Sequence, residues 1–282
     1  MTLEGLYRHA LTSLTAALGP TEGKAAARLI VEDCAGFAYT KVFTSPELPL
    51  EPETVTRVND ALERIAAGVP PQYAIGRARF MGMDLRVTPA TLIPRPETAG
   101  LVDLITDDMD GRRDLRVLDA GTGSGCIAIA LARALPYSRV TAIDISPDTL
   151  AVARENAGTL HAQVHFGIAD ILTLPTPPAP LYDIIVSNPP YITESEHDEV
   201  DTSVDAYEPH AALYVPDSDP LRFYDALMAY GRTAVEPGGR LYFEINPHYA
   251  DALSDALVRE GYRAVEILPD AYGRRRYARA TR

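Results

Sequence analysis

Asn188-Pro189-Pro190-Tyr191 ends an apolar run of strand type, Ile184-Ile185-Val186-Ser187. Neither proline can donate to a sheet ladder, and each restricts the residue before it, so the strand stops there and a stiff loop begins. The loop carries a side-chain amide, prolyl carbonyls and an aromatic ring. These groups suit a planar NH2 group: carbonyl oxygens accept its two hydrogens and the ring covers its face. In an open α/β sheet, the carboxyl ends of strands are where ligands bind. A Pro-rich turn after a buried strand is the plainer reading of an isolated Asn-Pro-Pro, so the other residues must decide between the two.

A second constellation is Asp119-Ala120-Gly121-Thr122-Gly123-Ser124-Gly125, between an expected strand and an expected helix. Its glycines let the backbone turn tightly and a ligand approach closely. Asp144 follows at the next strand end, 19 residues after Gly125, where an acid can hold the two hydroxyls of a ribose. The third position after Gly123 is Cys126, too large for the helix–strand contact of a dinucleotide fingerprint. No Lys-Ser/Thr ending marks a triphosphate site. Asp119 would repel pyrophosphate but could hold an ammonium, and S-adenosylmethionine has an ammonium and no phosphate. Asp170, closing the third strand, could accept from the adenine amine. Any one of these acids could be a helix N-cap, but Asp119, Asp144, Asp170 and Asn188 mark four successive strand ends on one sheet edge.

With that cofactor, the Asn188 side-chain oxygen and a prolyl carbonyl would hold an amide or amine nitrogen beside the sulfonium methyl. They would also stabilise positive charge developing on that nitrogen, while Tyr191 packs over the planar group. No metal is required. Cys34 and Cys126 lie far apart in the sequence, and none of the six histidines has a partner at catalytic or metal spacing. Cys126 reads as a packing residue.

Three segments position these groups. Residues 1–69 read as a small helical bundle: Leu3, Leu6, Tyr7, Ala10, Leu11 and Leu14 recur at helical spacing up to Gly19-Pro20. A second helix is expected from an N-cap at Thr21 to Gly36, and a third from Pro52 to Gly68. Residues 70–95 read as a β-hairpin linker, with strands at Gln72–Gly76 and Arg79–Val87 and a bend near Gly82. Residues 96–282 alternate strand and helix, which predicts an α/β, mostly parallel sheet with helices on both faces.

The chain has 282 residues, 26 Lys and Arg against 39 Asp and Glu, and a net charge of −13. Residues 71–95 are the only basic part, whereas no Lys or Arg occurs between Ser187 and Leu221. Glu194, Glu196, Asp198, Glu199, Asp201, Asp205 and Glu208 crowd that stretch, the wrong sign for a phosphate backbone. No apolar run approaches the ~18 residues of a membrane span, and no signal-peptide pattern opens the chain. The expectations are a cytoplasmic monomer, with no direct nucleic-acid or membrane partner.

Across most of its length the chain resembles the release-factor glutamine N5-methyltransferase family (PrmC/HemK). The resemblance is carried by Pro71-Gln72-Tyr73-Ala74-Ile75-Gly76, Phe80, Leu92-Ile93-Pro94-Arg95-Pro96-Glu97-Thr98, Asp119 to Gly125 and Ser187 to Ile192. Tyr207-Glu208-Pro209, Ala212-Leu213 and Phe243-Glu244-Ile245 continue it. Asn-Pro-Pro-Tyr alone is shared with enzymes that methylate amino groups of DNA and RNA bases, which remain the alternative; a catalytically idle binding module is a third reading. The resemblance implies a Rossmann-like class I methyltransferase sheet and methylation of the Gly-Gly-Gln glutamine of peptide-chain release factors. It implies that Gly121, Thr122, Gly123, Ser124, Gly125 and Asp144 bind S-adenosylmethionine, with Asp170 or Ile171 at the adenine. Asn188, Pro189, Pro190 and Tyr191 would hold the glutamine, and the N-terminal bundle the release factor. The acidic 194–208 segment would complement a basic surface on that partner. Arg95 and Glu97 form an ion pair or touch cofactor or substrate. The chain departs from the family at Ala99, usually Glu, and at Asn246-Pro247-His248-Tyr249, where a Gly and a nearby Gln are usual.

Overall fold

The computed structural model describes residues 1–282. The chain forms two compact units, Met1–Arg77 with Thr202–Tyr207, and Ala78–Asp201 with Glu208–Arg282.

The first unit is helical. Helix α1 (Leu3–Leu18) is capped by Thr2, whose hydroxyl accepts from the Gly5 N–H, and ends at Gly19. Pro20 then starts α2 (Pro20–Leu29) at its first position, so Gly19 and not Thr21 is the cap. Helix α2 runs on into a π-turn, Ile30–Cys34. Helices α3 (Lys41–Thr44), α4 (Pro52–Ala66) and α5 (Pro71–Ile75) follow. Gly23 lets α1 and α2 pack closely, since a Cβ there would lie 2.6 Å from the Leu14 and Thr15 backbone. Leu3, Leu6, Leu14, Ile30, Val58, Leu62 and Ile65 form the core of this unit. Helix α5 replaces the strand expected at Gln72–Gly76. Pro71 opens a helical turn and Gly76, left-handed at φ 79°, closes it.

The hairpin therefore starts later, as β1 (Arg77–Phe80) and β2 (Met83–Arg86). Met81 and Gly82, both at positive φ, make the tight turn that a two-residue connection requires. Phe80, Met83 and Leu85 share a core with the next helix, α6 (Pro96–Asp108), so the hairpin packs as part of the second unit rather than as a free linker.

The second unit continues with β3 (Arg116–Ala120), α7 (Cys126–Ala134), β4 (Arg139–Asp144), α8 (Pro147–Thr159), β5 (Val164–Ile168), β6 (Tyr182–Ser187) and β7 (Ile192–Thr193). After α9 (Thr202–Tyr207), which clusters with the first unit, come β8 (Tyr214–Val215), α10 (Arg222–Ala234), β9 (Val235–Glu244), α11 (Ala250–Arg259), β10 (Arg263–Pro269) and β11 (Arg275–Thr281). Seven strands form one sheet in the order β10-β11-β9-β6-β3-β4-β5. Strands β9, β6, β3, β4 and β5 run parallel, and β11 is antiparallel to both neighbours. Alternate side chains serve opposite faces. Val117, Val140, Ile184 and Val186 pack with α6 and α7. Leu118, Ile185, Leu241 and Phe243 pack with α10 and α11. The chain builds outward from β3 to β5 and then returns to β6 on the other side of β3. That reversal opens a crevice at the carboxyl ends of β3 and β6.

Helix α6 is clasped to the sheet at its last residue. Asp108 accepts from Tyr242 Oη at 2.8 Å and Arg279 Nη1 at 2.6 Å, and Arg240 Nη1 lies 2.7 Å away. Burial works against its charge, but the bonds from Arg279 and Tyr242 prevail and hold the carboxyl below the usual range. Asp108→Ala strands two half-buried guanidinium groups and should cost about 2 kcal/mol in urea unfolding at neutral pH. Because its folded pKa is depressed, this contribution is present above about pH 4 and is lost as pH falls. The gap between wild type and variant should close in acid.

Candidate active site

The glycine loop after β3 turns back on its own strand ends. Gly121 and Thr122 donate to the Ile143 carbonyl at 2.9 and 3.0 Å, Gly125 donates to the Thr122 carbonyl at 2.9 Å, and Gly123 donates to Asp144 Oδ2 at 3.0 Å. A phosphate cradle keeps such N–H groups unpaired for the anion. Here they are satisfied within the protein, which suits a ligand without phosphate. Gly121, Gly123 and Gly125 all have positive φ, and Gly125 also abuts α8, where a Cβ would stand 3.3 Å from that of Ala153. Behind the loop, Asn156 accepts from Arg86 N at 2.7 Å and donates to the carbonyls of Arg86 and Ser124, tying β2 to the loop.

The loop forms one wall of a cavity of about 430 Å³. Gly121, Thr122, Gly123, Ser124, Asp144, Asp170, Ile171, Asn188 and Pro190 all line it, so residues expected to bind cofactor and substrate meet at one site. Asp144 is anchored by the N–H groups of Gly123 and Ser146, each at 3.0 Å, and burial raises its pKa. Asp170 caps the turn at Ile171–Thr173 by accepting from Leu172 N. Ile171 and Leu172 supply apolar wall. The volume, the anchored acid and the absence of an anion cradle fit S-adenosylmethionine.

Four expectations change. Asp119 does not line the cavity. It is fully buried beneath the loop, where its Oδ2 accepts from Thr122 Oγ1 at 2.6 Å and Ala128 N at 3.1 Å. Its Oδ1 has no partner. It therefore ties the loop to α7 rather than offering an ammonium a direct contact. Gly125 caps α7 and is likewise outside the cavity wall. Tyr191 is the third. Its ring packs against the core on the α10 side of the sheet, and its hydroxyl donates to Glu244 Oε1 at 3.1 Å, so it anchors the turn rather than lining the cavity. Pro189 is also outside the lining. Cys126 stays a thiol, its pKa pushed up to about 12 chiefly by burial.

Around the turn lie residues that single-sequence reading missed. Asn188 Nδ2 donates to Thr98 Oγ1 at 3.3 Å, and Thr98 Oγ1 donates to Glu244 Oε2 at 2.7 Å. Thr98 is 2% and Glu244 1% exposed. Burial raises the Glu244 pKa, against the opposing bonds from Thr98 and Tyr191. Asn246 Nδ2 donates to the Tyr191 carbonyl at 3.0 Å and to Glu196 Oε2 at 2.8 Å, and His248 Nδ1 lies 2.8 Å from Glu196 Oε1. Glu196 also closes a capping box with Thr193. Arg95 pairs with buried Glu208 at 2.6 Å while lining the cavity, and Glu208 also accepts from Ile93 N. The only sequence signal for Thr98 and Glu244 was their place in quoted motif blocks, without a role attached.

Asp119 predicts a pH effect. Burial raises its pKa to about 7, so between the unfolded value of about 3.9 and that pH the folded chain binds the extra proton. Its stability contribution is complete below about pH 4 and is lost as pH rises toward 7. Asp119→Asn can keep both bonds at the Oδ2 position while removing the buried charge. Relative to wild type it should gain on the order of 2 kcal/mol between pH 5 and pH 8 in urea unfolding. An unchanged difference would mean that Asp119 carries no pH-dependent cost.

Residues 6–76 match the PrmC N-terminal domain and residues 117–205 a methyltransferase domain. The release factor glutamine methyltransferase of Bacteroides thetaiotaomicron is 43% identical over 93% of this chain and 94% of its own length. That of Deinococcus radiodurans is 36% identical over 100% of this chain and 99% of its own. Among solved structures, a methyltransferase from Pyrococcus furiosus shares the fold at 17% identity and TM-score 0.50, covering 72% of this chain and 89% of that one. With a relative this similar over nearly its whole length, and with both domains matched, the chain belongs to the release factor glutamine methyltransferase family.

Proposed function

We propose that the Asn188–Tyr191 turn grips the side-chain amide of a release-factor glutamine at the mouth of the β3–β6 crevice. The chain is an S-adenosylmethionine-dependent methyltransferase, and it methylates the N5 nitrogen of the glutamine in the Gly-Gly-Gln loop of peptide-chain release factors. The observation that carries the residue assignment is the polarity of Asn188: its Nδ2 is committed to Thr98, so its Oδ1 is the acceptor left for the cavity.

When bound, S-adenosylmethionine supplies an electrophilic methyl group on a sulfonium. An amide nitrogen is a poor nucleophile because its lone pair is delocalised into the carbonyl. Asn188 Oδ1 and a carbonyl of Pro189 or Pro190 would accept its two N–H groups, hold the lone pair in line with the methyl and stabilise the positive charge that grows on nitrogen. Tyr191 serves by fixing the turn from below. Asp144 would hold the ribose hydroxyls, with Gly121, Gly123 and Ser124 along the methionine portion and Asp170 and Ile171 at the adenine. Asp119 stiffens the loop from behind.

The helical residues 1–69 would recognise the release factor, a reading supported by the match of residues 6–76 to the PrmC N-terminal domain. The acidic 194–208 segment would meet a basic partner surface. No helix is long and apolar enough to cross a membrane. Action as a cytoplasmic monomer, without direct contact to nucleic acid, completes the proposal.

Incubation with methyl-labelled cofactor and a purified release factor should place label on the Gly-Gly-Gln glutamine; label on DNA or RNA instead would overturn the reading. Asn188→Ala should lower transfer at least about 100-fold while calorimetry shows cofactor affinity little changed. Asp144→Ala should do the reverse at the binding step, weakening cofactor affinity by roughly 10-fold or more through loss of a charge-assisted pair of bonds.

A further inference from the structure

A side-chain amide has two ends of nearly the same shape, so packing alone does not decide whether Asn188 turns its oxygen or its nitrogen toward the cavity. We propose that Glu244, acting through Thr98, makes that choice: the two are positioning residues that keep the Asn188 oxygen facing the substrate and so select a substrate group that donates. The inference rests on Asn188 being the acceptor for the substrate amide.

The argument is a count of protons. An ionised carboxylate accepts hydrogen bonds and cannot donate. Glu244 Oε2 lies 2.7 Å from Thr98 Oγ1, so the single Thr98 hydroxyl proton is committed there. The Thr98 oxygen can then only accept on its other side, and the Asn188 atom 3.3 Å away must be the donor, Nδ2. An Asn188 turned by half a revolution would set Oδ1 against the Thr98 oxygen, two acceptors with no proton between them. Glu244 is itself held, since Tyr191 Oη donates to its other oxygen at 3.1 Å. Thr98 and Glu244 are almost wholly buried, so water does not supply a substitute proton. Three residues separated by up to 146 positions thus pass one polarity from the core to the cavity wall. The result discriminates chemically. An outward oxygen takes the NH2 of a glutamine, whereas an outward NH2 would take a carbonyl or carboxylate oxygen and leave the amide nitrogen ungripped.

The test compares two substitutions at one site. Thr98→Val keeps the shape and removes the hydroxyl; Thr98→Ser keeps the hydroxyl and removes the methyl. The relay predicts that kcat for methyl transfer to a release factor falls roughly 10- to 100-fold in T98V and stays within about 3-fold of wild type in T98S, with cofactor affinity unchanged in both. A packing role for Thr98 predicts the opposite ranking, and that ranking would overturn the proposal. Glu244→Met, which offers only a weak thioether acceptor and no charge, should lower kcat about as much in wild type, but by no more than about 3-fold in the T98V background, because the two act through one path. Equal losses in both backgrounds would remove Glu244 from the relay. Should Glu244→Met not fold, the Thr98 pair decides alone. Asn188→Ala, measured alongside, separates the two levels: retained transfer in that variant sinks the substrate grip itself, whereas an inactive N188A beside a fully active T98V sinks only the relay.

Discussion

The parallel register of three central strands is the constraint on which the site depends. Ala120 at the end of β3 stands opposite Ile143 of β4 on one side and Ser187 of β6 on the other. The Ser187 hydroxyl donates to the Ala120 carbonyl at 2.6 Å, which pins the last rung. Beyond these residues the glycine loop, Asp144 and Asn188 all start from the same height on the sheet edge. A slip of one residue would exchange Val117 and Ile184 with Leu118 and Ile185 between faces, and all four are essentially inaccessible to water. The two hydrophobic layers therefore fix the site to a tolerance that no loop could set on its own. The reversal of strand order between β3 and β6 then leaves the gap that the cavity occupies.

Within that frame three desolvated carboxyl groups, Asp144 in the wall and Asp119 and Glu244 behind it, are each compensated differently. Asp144 meets two backbone N–H groups. Asp119 has its bonds at one oxygen only, and burial outweighs them and raises its pKa. Glu244 receives two hydroxyls, from Thr98 and Tyr191. Hydroxyl donors differ from arginine or lysine in leaving the negative charge unneutralised and in carrying one orientable proton each. A guanidinium at Thr98 would compensate Glu244 more fully, but it would present donors to Asn188 and so reverse its amide. The neutral hydroxyl instead leaves its oxygen free to accept from Asn188 Nδ2.

Much of this was legible from residue type and order. Alternating apolar runs and breakers made the strand–helix alternation of residues 96–282 legible, because strands end at chemical discontinuities such as Gly121 or Pro189, whereas the helix that opens the unit, Pro96–Asp108, was not anticipated. The convergence of Gly121–Ser124, Asp144, Asp170 and Asn188 followed from the rule that parallel strands share a ligand edge. Two classes of feature escaped. Short segments without a full period did: Pro71–Ile75 has strand-like residues, but Pro71 and Gly76 impose a turn of helix. Long-range pairings did too. Nothing near Thr98 in the chain announces Glu244, and a tyrosine beside two prolines reads as an exposed platform until the core that receives its ring is known.

The acidic stretch shows how a correct count can carry an incomplete meaning. Seven carboxyls between 194 and 208 read as a surface tuned to a basic partner. Glu196 is instead gripped by Thr193, Asn246 and His248, which together hold its carboxyl below the ordinary range despite burial. Glu208 is sealed against Arg95 and the Ile93 N–H. Glu196 fastens the segment through Asn246 to the Tyr191 carbonyl, and Glu208 fastens it to the loop that brings Arg95 to the cavity. A partner that engaged the remaining acids would pull on a segment already tied to the Asn188–Tyr191 turn. The charge of this stretch and the geometry of the turn are then carried by one piece of backbone, so a change at Glu196 touches both.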